Sequence, residues 1–281
     1  MASISDIAVI ICHGSYHTPA PYMPLVEALK DHGIEAFCPQ LPTSDLAKLN
    51  VGDVNSPDFD REPPKEGYPQ GEEDAEVILD ILRRLVGRGK RIVLIGHSAG
   101  GWVATEAARP EFQARSRKEK GLSGGILGIL YMGAFVIPVG ESIHSFFQPK
   151  DGPAVTPPFM QFHKHGVAGL GTMVEPEKFL FNDLERSEAE KWIPTLTASP
   201  ILTSKLTNDA YAALPCAYLV LEGDRTLPKE YQEGMVAAQS QKTGEFTVYR
   251  CPAGHSPHLS WAQGVVNTVR DFIKRIEDQQ D

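Results

Sequence analysis

Two hydrophobic rhythms alternate along the chain. Ile7 to Cys12 is an unbroken apolar run rich in β-branched residues, which predicts a strand buried on both faces of a sheet. Leu25, Val26, Ala28 and Leu29 then recur at helical spacing within Pro21 to His32, and Gly33 closes that helix before a second strand over Ile34 to Cys38. The spacing of Val77, Ile78, Ile81, Leu82 and Leu85 predicts a helix over Glu72 to Val86. Next come an apolar strand from Arg91, a helix-compatible run over Val103 to Ala108 that stops at Pro110, and a strand over Gly125 to Phe135. Strands over Cys216 to Glu222 and Phe246 to Arg250, with helices around Lys229 to Gln239 and Trp261 to Ile276, complete the pattern. Six strands interleaved with helices predict an α/β fold with a doubly wound, parallel sheet.

Two stretches break the alternation. Pro39 to Gly71 is rich in proline and glycine and too long for an ordinary connection, so it reads either as a surface excursion or as the rim of a ligand site at a strand's carboxyl end. Pro138 to Leu214 holds Phe146, Phe147, Phe159, Phe162, Phe179 and Phe181, half of the chain's phenylalanines, together with Trp192. It reads as a mainly helical cap whose aromatics either pack together or line a pocket. The expected organisation is a core over residues 1–137, a cap insertion over 138–214 and the rest of the core over 215–281. No internal repeat is evident.

Composition narrows the function classes. A net charge of −9 argues against a nucleic-acid surface, and the one dense basic cluster, Arg115 to Lys120, contains Glu119 and reads as a solvated loop. The first residues carry no basic region followed by a cleavable apolar segment, and no apolar run is long enough to span a bilayer. The expectation is a soluble cytoplasmic protein with no membrane partner. Cys12, Cys38, Cys216 and Cys251 are scattered, as expected of reduced core thiols. No sequence signal speaks for or against a homodimer.

Candidate chemistry centres on Gly96-His97-Ser98-Ala99-Gly100, where a β-branched strand runs into a helix. A serine on such a turn is exposed and strained, which makes Ser98 a candidate nucleophile needing an imidazole and a carboxylate downstream. Asp224, in the loop after Leu219-Val220-Leu221-Glu222-Gly223, is the candidate acid; Glu222 is the competitor, disfavoured because a carboxylate within the strand would lie under a helix. His255, behind Gly254, is the candidate base in preference to His258. Backbone amides of Ser15 and Ala99 are candidate oxyanion donors. His13 and His17 have i, i+4 spacing but fall in a loop marked by Gly14, Pro19 and Pro21, and His163 and His165 have no nearby cysteine or third ligand in recognisable spacing, so no metal site is expected. His97 reads as a packed residue of the turn.

Taken together, His13-Gly14-Ser15, Gly96-His97-Ser98-Ala99-Gly100-Gly101, Glu222-Gly223-Asp224 and Gly254-His255-Ser256-Pro257 resemble the α/β-hydrolase superfamily. The missing N-terminal hairpin, the second histidine at His17 and the Asp-x-x-x-Pro-x-x-x-Gln pattern over Asp224 to Gln232 are similar to the small plant methyl esterase and hydroxynitrile lyase branch and its microbial relatives. In the lyases of that branch a threonine follows the first histidine and a lysine the catalytic one; Gly14 and Ser256 stand there in this chain. The resemblance implies a cofactor-free serine hydrolase of carboxylic esters, thioesters or lactones of small, mainly apolar or aromatic molecules. A C–C lyase, dehydratase or cyclase using the same site, and a weakly catalytic small-molecule receptor, are the alternatives.

Overall fold

In the computed structural model, residues 6–279 are described. The N-terminal segment read for a leader lies mostly outside them. The main sheet has six strands, β1 (Ile7–Cys12), β2 (Glu35–Phe37), β3 (Arg91–His97), β4 (Gly125–Met132), β8 (Cys216–Leu221) and β9 (Thr247–Cys251), in the order β2-β1-β3-β4-β8-β9. Every neighbouring pair is parallel. β1, β3, β4 and β8 carry almost wholly buried side chains, because helices cover both faces. On one face α2 (Gly71–Gly87), α3 (Gly100–Ala107) and α9 (Lys229–Thr243) pack over Ile10, Leu94 and Ile129. On the other, α1 (Met23–Asp31) and α11 (Ala262–Asp278), the latter preceded by the short α10 (Pro257–Ser260), cover Val9, Val93 and Leu130.

β4 is shorter than its apolar pattern suggests. Gly133, at φ 49°, turns the chain out of the sheet, and Phe135 then donates its amide to the carbonyl of Ser98 at 3.0 Å. The basic cluster is a correction. Arg115 to Lys120 is no open loop: Ala114–Glu119 form helix α4, and Arg117 reaches the carbonyls of Ser123 at 3.0 Å and Val86 at 3.3 Å. Short α-helices of the 138–214 stretch are α5 (Ile143–Phe147), α6 (Pro176–Phe179), α7 (Arg186–Trp192) and α8 (Ala210–Ala213). Beside them lies a small antiparallel sheet that the residue pattern did not reveal, β5 (Met160–Phe162), β6 (Leu170–Met173) and β7 (Ser199–Pro200).

The Pro39 to Gly71 loop is neither floppy nor the wall of the large cavity described below. Leu49 and Val51 are buried against Leu170 and Ala198. Gln70 donates to the Ile201 carbonyl at 3.1 Å and accepts from the Thr203 amide at 2.9 Å, while Asp60 accepts from the Lys164 amide at 2.8 Å. At its start, Thr43 donates its amide and hydroxyl to Asp74, at 2.9 and 2.6 Å. Burial outweighs these two bonds and lifts the Asp74 carboxyl to about 7.

Because the folded value lies above the ordinary one of about 3.9, the stability tied to this group is full in acid and is lost as pH rises towards 7. Asp74→Asn keeps an acceptor for Thr43 without the buried charge. It is expected to stabilise the fold by roughly 1–3 kcal/mol at pH 8, with the gain fading towards pH 4. Thermal unfolding at the two pH values measures this.

No helix among the described residues is long and apolar enough to cross a membrane.

Candidate active site

Ser98 sits between β3 and α3 at φ 52°, a left-handed conformation that costs a non-glycine residue about 1–2 kcal/mol. Its carbonyl accepts from Gly101 at 3.1 Å and from Phe135 at 3.0 Å, which holds the strained turn. Gly100 is required by close approach: a Cβ there would run into the carbonyl oxygen of Cys12 at the end of β1. The turn therefore leans directly on the neighbouring strand, and the Ser98 side chain opens into the large cavity.

Asp224 and His255 come from the loops after β8 and β9. Asp224 Oδ2 accepts from His255 Nδ1 at 2.7 Å, and both side chains are almost fully buried. Asp224 Oδ1 accepts from the amides of Thr226 and Leu227, each at 2.8 Å, so the carboxylate is fixed from both sides. Gln232, wholly buried, pins the same loop by donating to the Leu227 carbonyl at 2.7 Å and accepting from the Leu221 amide at 2.9 Å. That explains the aspartate-to-glutamine pattern physically.

Glu222 does not lie under a helix, contrary to the reason given against it. Its side chain is 46% exposed and lies 4.0 Å from Arg250, whereas the carboxylate bonded to His255 is that of Asp224. The glycine before His255 is required by close approach. A Cβ on Gly254 would come within 2.5 Å of Asn182 Oδ1 and 2.7 Å of Asp183 Oδ1. Asp183 accepts from the Gly254 amide at 2.7 Å and Asn182 donates to the Gly223 carbonyl at 3.0 Å, so the 138–214 stretch braces both loops.

Residue patterns missed the support behind His255. The amide of Gly14 donates to Tyr22 Oη at 3.1 Å, and Tyr22 lies 2.5 Å from His97 Nδ1. His97 Nε2 lies 2.8 Å from the His255 carbonyl, which can only accept. With Nε2–H donating there, Nδ1 accepts from the Tyr22 hydroxyl. One chain of hydrogen bonds thus ties the loop after β1, the Ser98 turn and the His255 loop together. No local signal marks Tyr22, because its partners are distant in sequence.

His13, His17, His97 and His258 are all buried, and desolvation pushes each of them down, His13 to about 4 and His17 to about 3. They surround the site as neutral rings. Tyr22 stacks on His258 at 4.1 Å between centroids, and neither nitrogen of His258 has a partner among the described residues. His163 and His165 lie apart, on the 138–214 stretch, bonded to Thr172 and to the Asp60 carbonyl. No metal-binding cluster occurs among the described residues.

Ser98 and His255 line a cavity of about 450 Å³, a volume in the range of small-molecule sites. Phe135, Phe147, Phe159, Phe162 and Leu180 make its wall largely apolar. The aromatics thus divide: Phe147, Phe159 and Phe162 face the cavity, whereas Phe181 and Trp192 pack with Leu180 and Ala189. Ser15 borders this cavity and, with Ala99, a small recess beside Gly100. Neither amide donates to another group among the described residues.

Comparison with known proteins bears on this arrangement. The model of the alpha/beta hydrolase family matches residues 9–268. The chain belongs to that family. Alpha/beta hydrolase nvfD of Aspergillus novofumigatus is 29% identical over 268 residues, covering 94% of this chain and 95% of its own. Among solved structures, a pyrethroid hydrolase from Sphingobium faniae superposes with a TM-score of 0.67 at 20% identity, covering 95% of this chain and 96% of its own. The methylesterase MES16 of Arabidopsis does so with 0.65 at 14% identity, over 95% and 99%. These two likenesses concern the fold. Membership supports hydrolase function for this alpha/beta hydrolase, whose cavity lies at the carboxyl ends of the parallel strands, where the family's sheet opens.

Proposed function

We propose that this alpha/beta hydrolase is a serine hydrolase of carboxylic esters, thioesters or lactones of small, mainly apolar molecules. The single observation that carries the reading is the 2.7 Å contact of His255 Nδ1 with buried Asp224, on the cavity that Ser98 also lines. With Nδ1–H donated to Asp224, His255 Nε2 is the free basic nitrogen.

His255 takes the proton of Ser98 as Oγ attacks the carbonyl carbon, and Asp224 stabilises the imidazolium. The amides of Ser15 and Ala99 hold the oxyanion, each worth roughly 2.7–4 kcal/mol in the transition state. The protonated His255 passes its proton to the leaving alcohol or thiol. A water, deprotonated by His255, then releases the acid from Ser98. The neutral histidines around His255 favour this cycle, because a second buried cation would oppose its protonation. The 138–214 stretch acts as the cap, and the protein works in the cytoplasm without metal or cofactor.

Turnover of p-nitrophenyl butyrate in ¹⁸O-labelled water tests the reading. A burst followed by steady release, with label in the butyrate, is expected. Release without labelled acid would point to non-hydrolytic acyl transfer and overturn it.

A further inference from the structure

Apart from histidine, one charged side chain among the described residues lines the large cavity: Arg225. It has neither a carboxylate partner nor a hydrogen bond among the described residues, although the chain as a whole carries nine more acidic than basic residues. No aspartate or glutamate among the described residues borders the cavity. The residue's backbone is not free to wander. Arg225 lies between Asp224 and Thr226, whose amide is bonded to Asp224, so the carboxylate that orients His255 also fixes the root of Arg225. Its side chain is exposed and so lies where the cavity meets solvent, which Pro228 and Tyr231 also line. Ser98 and His255, on the same cavity, are by contrast buried.

A cavity with an apolar wall and one unpaired cation at its mouth is complementary to an amphipathic molecule. We infer that this hydrolase takes substrates bearing a carboxylate at the end remote from the scissile bond, bound by Arg225. The apolar body fills the space between Phe147, Phe159 and Phe162. A single guanidinium matches one carboxylate by a two-pronged contact, and no second cation is present for the greater charge of a phosphate. The absence of a bordering carboxylate leaves nothing to compete for the guanidinium. This inference rests on the cavity being the substrate site proposed above, and it names the substrate class.

Binding of a matched pair series tests it without turnover. The probes are ω-phenyl alkanoic acids of three to eight carbons and their primary amides, titrated calorimetrically into the protein, Arg225→Gln and Arg225→Lys. The best acid is expected to bind about five- to tenfold more tightly than its amide. Raising the ionic strength should shrink that preference, Arg225→Lys should keep part of it, and Arg225→Gln should remove it.

Equal affinity for acid and amide in the unaltered protein overturns the inference, as does binding of neither. A preference that survives in Arg225→Gln also overturns it, by placing the carboxylate at the Ser98 end. Salt dependence in the unaltered protein gives a reading even if a variant fails to fold. Because no bond is broken in these titrations, their outcome is separate from that of the labelled-water experiment.

Discussion

Ser98→Ala is expected to lower the proposed ester turnover by roughly four to six orders of magnitude, because in the proposed mechanism nucleophile and base act as a unit. It should also abolish labelling by a fluorophosphonate probe. Alanine removes only Oγ, whereas the turn is held through the Ser98 carbonyl by Gly101 and Phe135. The unfolding midpoint should therefore stay within a few degrees. Steady-state kinetics, gel labelling and a thermal scan on the same preparation separate loss of chemistry from loss of fold. Labelling that persists in the variant would move the nucleophile elsewhere.

The second large effect concerns the two acids at the end of β8. Asp224→Asn is expected to lower kcat by about 10³–10⁴, since an amide presents a donor as well as an acceptor to His255 and no longer stabilises its charged form. Thr226 and Leu227 still find an acceptor in the asparagine oxygen only if the amide nitrogen faces His255, which sets the imidazole in the wrong tautomer. Glu222→Gln should change kcat by less than about twofold, because its exposed carboxylate meets only Arg250. Measured side by side, a large loss from Glu222 and a small one from Asp224 would exchange their roles.

The sheet was legible because buried parallel strands need continuous apolar runs, and Ile7–Cys12 and Cys216–Leu221 supply them with few alternatives. Errors fell where a long-range contact decides. Helix α4 has no apolar periodicity; Arg117 fastens it to carbonyls of other segments. β4 ends at Met132, where Gly133 turns the chain, although the apolar run continues to Phe135. The small antiparallel sheet is built from strands of two to four residues, too short for alternation to register.

In the candidate site, the loop positions of Ser98, Asp224 and His255 could be read from glycine-flanked strand ends. Their supports could not. Tyr22 reaches His97 across 75 positions, and Asp183 reaches Gly254 across 71, so each is an unremarkable polar residue in its own neighbourhood. Gly254 shows the limit well: the glycine was visible, and its reason, room for Asn182 and Asp183, lay in another part of the chain.

The fastening of the Pro39 to Gly71 loop to the 138–214 stretch has a bearing on motion. Leu49 and Val51 against Leu170 and Ala198, with Gln70 and Asp60 bonded across, join two segments that neither β2 nor β4 constrains by itself. Separating them exposes apolar surface on both, so they open as one cooperative unit rather than fraying independently. The 138–214 side of the cavity is therefore held at several points by a segment that lies outside the wall, and is not a single flap on a hinge.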